Sequence, residues 1–105
     1  MPKTARPELP TDLDDAVRAF GSHVKVAALR SLQREGRATR SELSRRLGIS
    51  PSTLQAPLKA LIDIGVITTY PPMTETTRVN RWFDVNHERL DALLDALGRA
   101  ISRPN

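Results

Sequence analysis

From residue 11 to residue 65 apolar side chains recur at helical spacing, and glycines at 21, 36, 48 and 65 interrupt them. Beyond residue 65 the period shortens to two, and from residue 87 it becomes helical again. Leu13, Ala16, Val17 and Phe20 define the apolar face of a first helix that begins at Thr11 and ends at Gly21. Asp12, Asp14 and Asp15 occupy its first turn, where the helix dipole favours negative charge. A helix of about ten residues is marginal alone, so it must dock on something. Ser22 caps a second helix running to about Glu35, with Val24, Ala27, Ala28, Leu29 and Leu32 inward and Lys25, Arg30, Gln33 and Arg34 outward. Gly36 stops it, and residues 37–39 are too few for an independent strand but enough to pair as a short third one.

Residues 39–65 carry the strongest local signals. Thr39 followed three residues later by Glu42 predicts a capping box, after which Leu43 and Leu47 share a face and Gly48 supplies a left-handed stop. Ser50 then caps a further helix whose first position is Pro51, where a missing N–H costs nothing. Leu54, Leu58, Leu61 and Ile62 form its apolar stripe, and Gly65 closes it. Ser52, Thr53, Gln55, Ala56 and Lys59 are left on the other faces. A short capped helix, a glycine turn and a second helix with small polar residues at its start form a helix-turn-helix signature. The bland alternative is an αα-hairpin that only packs a core.

Val66–Tyr70 is rich in β-branched residues and predicts a strand ended by Pro71-Pro72. Residues 79–85 alternate, with Val79, Phe83 and Val85 inward, Asn80, Trp82 and Asp84 outward, and Arg81 a polar exception on the inner face. Two strands around a polar loop make a hairpin, and a hairpin directly behind a recognition helix is a wing. Asn86 caps a last helix over residues 87–102, where Leu90, Leu93, Leu94, Leu97 and Ile101 form a narrow stripe of coiled-coil type flanked by Ala92, Ala96 and Ala100. Such a stripe packs on its own domain or forms a subunit interface. The middle helices already fill a core of this size, which favours an interface at least in part.

The expected fold class is mainly α with a small β-hairpin, an α+β winged helix-turn-helix. Residues 1–10, with three prolines, read as a flexible tail, and residues 11–105 as one domain. Composition narrows the function further. The net charge of +4 favours a polyanionic partner, though weakly. Cysteine is absent, which removes disulfides, thiolate metal sites and cysteine nucleophiles together. No apolar run reaches the roughly 18 residues a membrane span needs, and no signal peptide is recognisable, so a cytoplasmic, nucleoid-associated protein is expected. There is no nucleophile–His–carboxylate set, glycine-rich phosphate loop or metal spacing, so no enzyme activity, cofactor or metal is expected.

With double-stranded DNA as the partner, the candidate contacts sort by chemistry. Ser50, Ser52 and Thr53 stand at a helix N-terminus, where amides and hydroxyls suit a phosphate, and Ala56 lies on the same helix. Gln55 can donate to and accept from an adenine edge, while Lys59 can reach guanine or phosphate. Arg40, Arg45 and Arg46 would hold the DNA backbone from the supporting helix, and Thr76, Thr77, Arg78 and Arg81 would serve the wing. Trp82 is expected to pack against a neighbouring helix or subunit rather than stack on a base. The basic residues gather on one side, while Asp12, Asp14, Asp15, Asp91 and Asp95 are expected on the other, which favours DNA over a protein-interaction module.

The run Leu47-Gly48-Ile49-Ser50-Pro51-Ser52-Thr53-Leu54, continued by Leu58-Lys59-Ala60-Leu61 and Gly65-Val66-Ile67, resembles ArsR-type winged helix-turn-helix transcriptional regulators over roughly residues 12–102. These motifs separate ArsR-like from MarR-like relatives less well than they mark the group. The resemblance implies a homodimer built on the first and last helices, through Leu13, Val17, Phe20, Leu90, Leu93, Leu94, Leu97 and Ile101. It also implies a repressor role: sequence-specific binding of an inverted repeat, with residues 52–59 in the major groove and the wing beside it. A non-specific architectural DNA-binding protein is the other alternative. Two departures matter. Metal-sensing relatives use cysteine pairs or His and carboxylate ligands, whereas here the histidines are His23 and His87, and adjacent His87 and Glu88 do not face one site. Pro57 falls inside the recognition helix, where it removes the bond to the Thr53 carbonyl, so the helix either bends there or begins later.

Overall fold

The computed structural model describes residues 7–72 and 81–102. Its elements are α1 (Thr11–Phe20), α2 (His23–Glu35), β1 (Ala38–Thr39), α3 (Arg40–Leu47), α4 (Pro51–Ile64), β2 (Ile67–Tyr70), β3 (Trp82–Val85) and α5 (His87–Ile101). The three strands form one antiparallel sheet in the order β1-β3-β2. The two-residue segment before α3 therefore does become a third strand, with Ala38 opposite Phe83 and Thr39 opposite Trp82. β3 begins at Trp82, and the expected inward Val79 and outward Asn80 lie outside the described residues.

Local chemistry sets the helix ends. Thr39 accepts from the Glu42 amide at 3.2 Å while Glu42 accepts from the Thr39 amide at 2.9 Å, so both halves of the capping box are made. Gly48 and Gly65 adopt φ of +67° and +94°, conformations an L side chain rarely takes, and end α3 and α4. Ser22, Ser50 and Asn86 cap α2, α4 and α5 through the amides of Lys25, Thr53 and Arg89. Pro57 lies inside a helix that runs unbroken from Pro51 to Ile64. The helix therefore starts where the Ser50 cap places it rather than later.

Thr39→Ala should cost about 1 kcal/mol of stability, read from urea unfolding. The backbone amide of Thr39 is the main cause that holds the Glu42 carboxyl below its ordinary range, assisted by the Thr39 hydroxyl and the positive charges of Arg46 and Arg45, against desolvation. The lowered folded value means that this contribution is complete above the ordinary glutamate range. It disappears as pH falls through the folded value.

The core joins every element. Leu29 and Leu32 of α2, Leu43 of α3, Leu54, Leu58 and Leu61 of α4, Ile67 and Phe83 of the sheet, and Leu90 and Leu93 of α5 are all buried. On α1 the buried residues are Ala16 and Ala19, while Leu13 and Phe20 are half-buried and Val17 is exposed. Small residues on the inner face let α1 lie close against α5 and turn the larger side chains toward the edges. The expected role of Leu90 and Leu93 in a subunit interface is thus corrected. Both are enclosed by their own chain, at 7% and 0% exposure, and offer no surface to a second copy. Leu94 and Ile101, at 50% and 75%, do offer one.

Candidate nucleic-acid interface

The exposed side of α4 presents Ser52, Gln55, Ala56 and Lys59, because Leu54, Leu58, Leu61 and Ile64 turn the opposite side into the core. At its N-terminus three hydroxyls converge, with Ser50 Oγ 2.7 Å from Thr53 Oγ1 and 3.3 Å from Ser52 Oγ. Ser50 Oγ also accepts from the Thr53 amide. Ser50 and Thr53 are therefore engaged in closing the helix end, and exposure leaves their hydroxyls open to an additional acceptor. Arg40, at the first position of α3, is brought beside Gln55 and Lys59, and the three rim a cleft of about 110 Å³ floored by Leu58, Ile62 and Phe83. That juxtaposition joins residues fifteen to nineteen apart in sequence. Arg45 is exposed on α3.

Arg46 departs from the backbone contact expected of it. Its Nη1 donates to the Gly36 carbonyl at 2.8 Å and its Nη2 to the Arg37 carbonyl at 3.4 Å, while Nε lies 3.9 Å from a Glu35 carboxylate oxygen. The side chain is 20% exposed and closes the C-terminal end of α2, where unsatisfied carbonyls favour a cation. Of the four cations expected on α3 and α4, Arg40, Arg45 and Lys59 are exposed and Arg46 is not.

Lys59 is itself paired. Its ammonium donates to both Asp63 carboxylate oxygens, the nearer at 3.1 Å, one turn along α4. The Lys-x-x-x-Asp spacing was a signal available in the sequence for this pair. Both side chains are more than half exposed, so the pair adds little to stability, but it offsets part of the positive field where Lys59 would meet a phosphate. The opposing acidic cluster is also altered by pairing: Asp12 and Asp15 contact Arg89, and Asp95 contacts Arg99 at 2.9 Å.

At the base of the wing Arg81 is half-buried and donates to the Pro72 carbonyl at 3.4 Å. Thr76, Thr77 and Arg78 lie outside the described residues. Trp82 points outward, and the Arg37 guanidinium stands 5.3 Å from its ring centroid. Among the described residues no group of three or more His, Cys, Asp or Glu side chains converges, and no helix is long and apolar enough to cross a membrane.

Comparison with known proteins matches the same segment. Residues 23–68 match the family model described as winged helix-turn-helix DNA-binding. No curated protein matches the chain. Among solved structures, an ArsR family transcriptional regulator is 23% identical with a TM-score of 0.68, over 90% of this chain and 92% of that one. The transcriptional repressor BigR from Xylella fastidiosa is 18% identical with a TM-score of 0.63, over 90% of each chain. Reduced AbfR, in a structure bound to DNA, is 18% identical with a TM-score of 0.57, over 88% of this chain and 68% of that one. At these identities the likeness is one of fold. The chain has the winged helix-turn-helix fold, resembles ArsR-type regulators across it, and carries in residues 23–68 a match to the winged helix-turn-helix DNA-binding family.

Proposed function

We propose that the protein is a sequence-specific regulator of transcription that binds double-stranded DNA as a homodimer and represses by occupying an inverted repeat, acting on the nucleoid in the cytoplasm. The observation that carries the reading is the exposed side of α4, where Gln55 and Lys59 stand beside Arg40 at the mouth of one cleft. Gln55 supplies an amide for a base edge, and the cations supply the backbone attraction that positions it. Arg45, Ser52 and Thr53 extend the phosphate-facing set, with Ala56 small enough to let the helix approach. On α1 and α5 Val17, Leu94 and Ile101 are exposed, and Leu13, Phe20 and Leu97 are half-buried, as a two-fold interface of these helices requires. Such a dimer would place two recognition helices about 34 Å apart, one turn of the duplex.

Selection of bound duplexes from a random pool at physiological salt tests this directly. Enrichment of one inverted repeat supports the reading. Retention without enrichment would mean a shape-reading architectural protein, and no retention at low salt would mean a protein-interaction module.

The Lys59–Asp63 pair gives a separate expectation. Asp63→Asn should raise affinity for random duplex roughly three- to tenfold, because one carboxylate per protomer no longer opposes the phosphates. Fluorescence anisotropy at fixed salt reads the change, and an unaltered affinity would place Asp63 away from the DNA.

A further inference from the structure

Arg89 lies in the first turn of α5 and joins three elements. Its Nε donates to the Ile64 carbonyl at 3.1 Å, its Nη1 to Asp12 Oδ1 at 3.3 Å and its Nη2 to Asp15 Oδ2 at 2.7 Å. The stem of the side chain runs past Gly65, where an added Cβ would stand 3.7 Å from Arg89 Cγ. Beside it, the Asn86 side-chain amide donates to the Gly65 carbonyl at 3.1 Å and the Asn86 backbone amide to the Val66 carbonyl at 2.9 Å. The C-terminal turn of α4 is thereby held from α5, and Arg89 extends the hold to α1. A guanidinium suits this task. Its planar fork serves acceptors in several directions, its charge complements the open carbonyl end of a helix, and a lysine ammonium on a flexible stem cannot reproduce the arrangement.

We infer that Arg89 is a positioning residue that fixes the recognition helix to the α1–α5 platform, and so sets the half-site separation a dimer accepts. The inference rests on the homodimeric, inverted-repeat reading above. Its physical basis is leverage. Gln55 lies nine residues before Ile64 along α4, roughly 14 Å away at the helical rise. A swing of about 10° about the C-terminal end therefore moves Gln55 by about 2 Å. Two protomers swinging in opposite senses change the separation of the recognition helices by about 4 Å, roughly one base-pair step. A dimer with slack at this joint should accept neighbouring spacings that a rigid one refuses.

The test uses the full chain and the inverted repeat recovered by selection, with its centre lengthened or shortened by one base pair. The wild-type protein should lose about tenfold or more in affinity at each altered spacing, the order of one mismatched contact. Arg89→Met should lose less than about threefold at the same sites, while its affinity for the parent site falls. Arg89→Lys should show the relaxed spacing as well, with a thermal midpoint closer to wild type because the charge beside Asp15 is kept; it carries the test where the methionine variant does not fold. A merely structural residue would lower affinity by one factor at every spacing, and parallel profiles would overturn the inference alone. A wild-type protein indifferent to spacing would overturn the inverted-repeat reading, and this inference with it.

Discussion

Leu61→Ala should lower the unfolding free energy by about 3 kcal/mol, a loss of more than a hundredfold in the folding equilibrium. Leu61 is fully buried at the centre of a core that draws on every helix and on the sheet. Removing its branched end deletes transfer energy and also leaves a cavity, since the C-terminal end of α4 is held from α5 by Arg89 at Ile64 and by Asn86 at Gly65. The surrounding elements cannot close on the gap without breaking those contacts. For a chain of this size the thermal midpoint should fall by roughly 12–20 °C. Differential scanning calorimetry measures it. Gln55→Ala, on the exposed side of the same helix, should change stability by no more than about 0.5 kcal/mol and the midpoint by no more than about 2–4 °C. A fall of less than about 4 °C for Leu61→Ala would mean that the core around α4 is loosely packed.

Affinity for DNA should fall by about a thousandfold between 50 mM and 200 mM salt. Arg40, Arg45 and Lys59 are exposed and would face the proposed duplex in each protomer of a dimer, which would neutralise about six phosphates through them, with a slope of log affinity against log salt near −5. Counting Arg46 as well would steepen the slope to about −7, and this is where the structure changes the expectation. Arg46 is committed to the Gly36 and Arg37 carbonyls, so Arg46→Ala should leave the slope unaltered and lower the thermal midpoint. Lys59→Ala should reduce the slope by about two, and should weaken specific and random DNA alike. Gln55→Ala should chiefly lose the distinction between them, by about 1–3 kcal/mol at one position of each half-site. Equal losses on specific and random DNA for Gln55→Ala would remove it from base readout.

The helices, the capping box, the glycine stops and the start of α4 at Ser50 were all legible along the chain, because each depends on residues within one or two turns of one another. So was the exposure of Gln55 and Lys59, which follows from the position of the leucines three and four residues away. A periodic stripe, however, says only that a face is apolar and not what covers it. Leu90 and Leu93 belong to the chain's own core, and Leu94 and Ile101 of the same stripe to its surface, because Leu94 points about 100° round the helix from Leu93 and Ile101 is the last residue of α5. Arginine is still less legible, since its role depends on which carbonyls and carboxylates the fold brings near. Arg46 closes α2 ten residues back in the chain, and Arg89 reaches Asp12 across seventy-seven. By itself the sequence determined the elements and the polar side of α4, through local hydrogen bonds and spacing. Tertiary structure alone decided which cations face outward and which hold the recognition helix in place, because those choices are made by groups far apart along the chain.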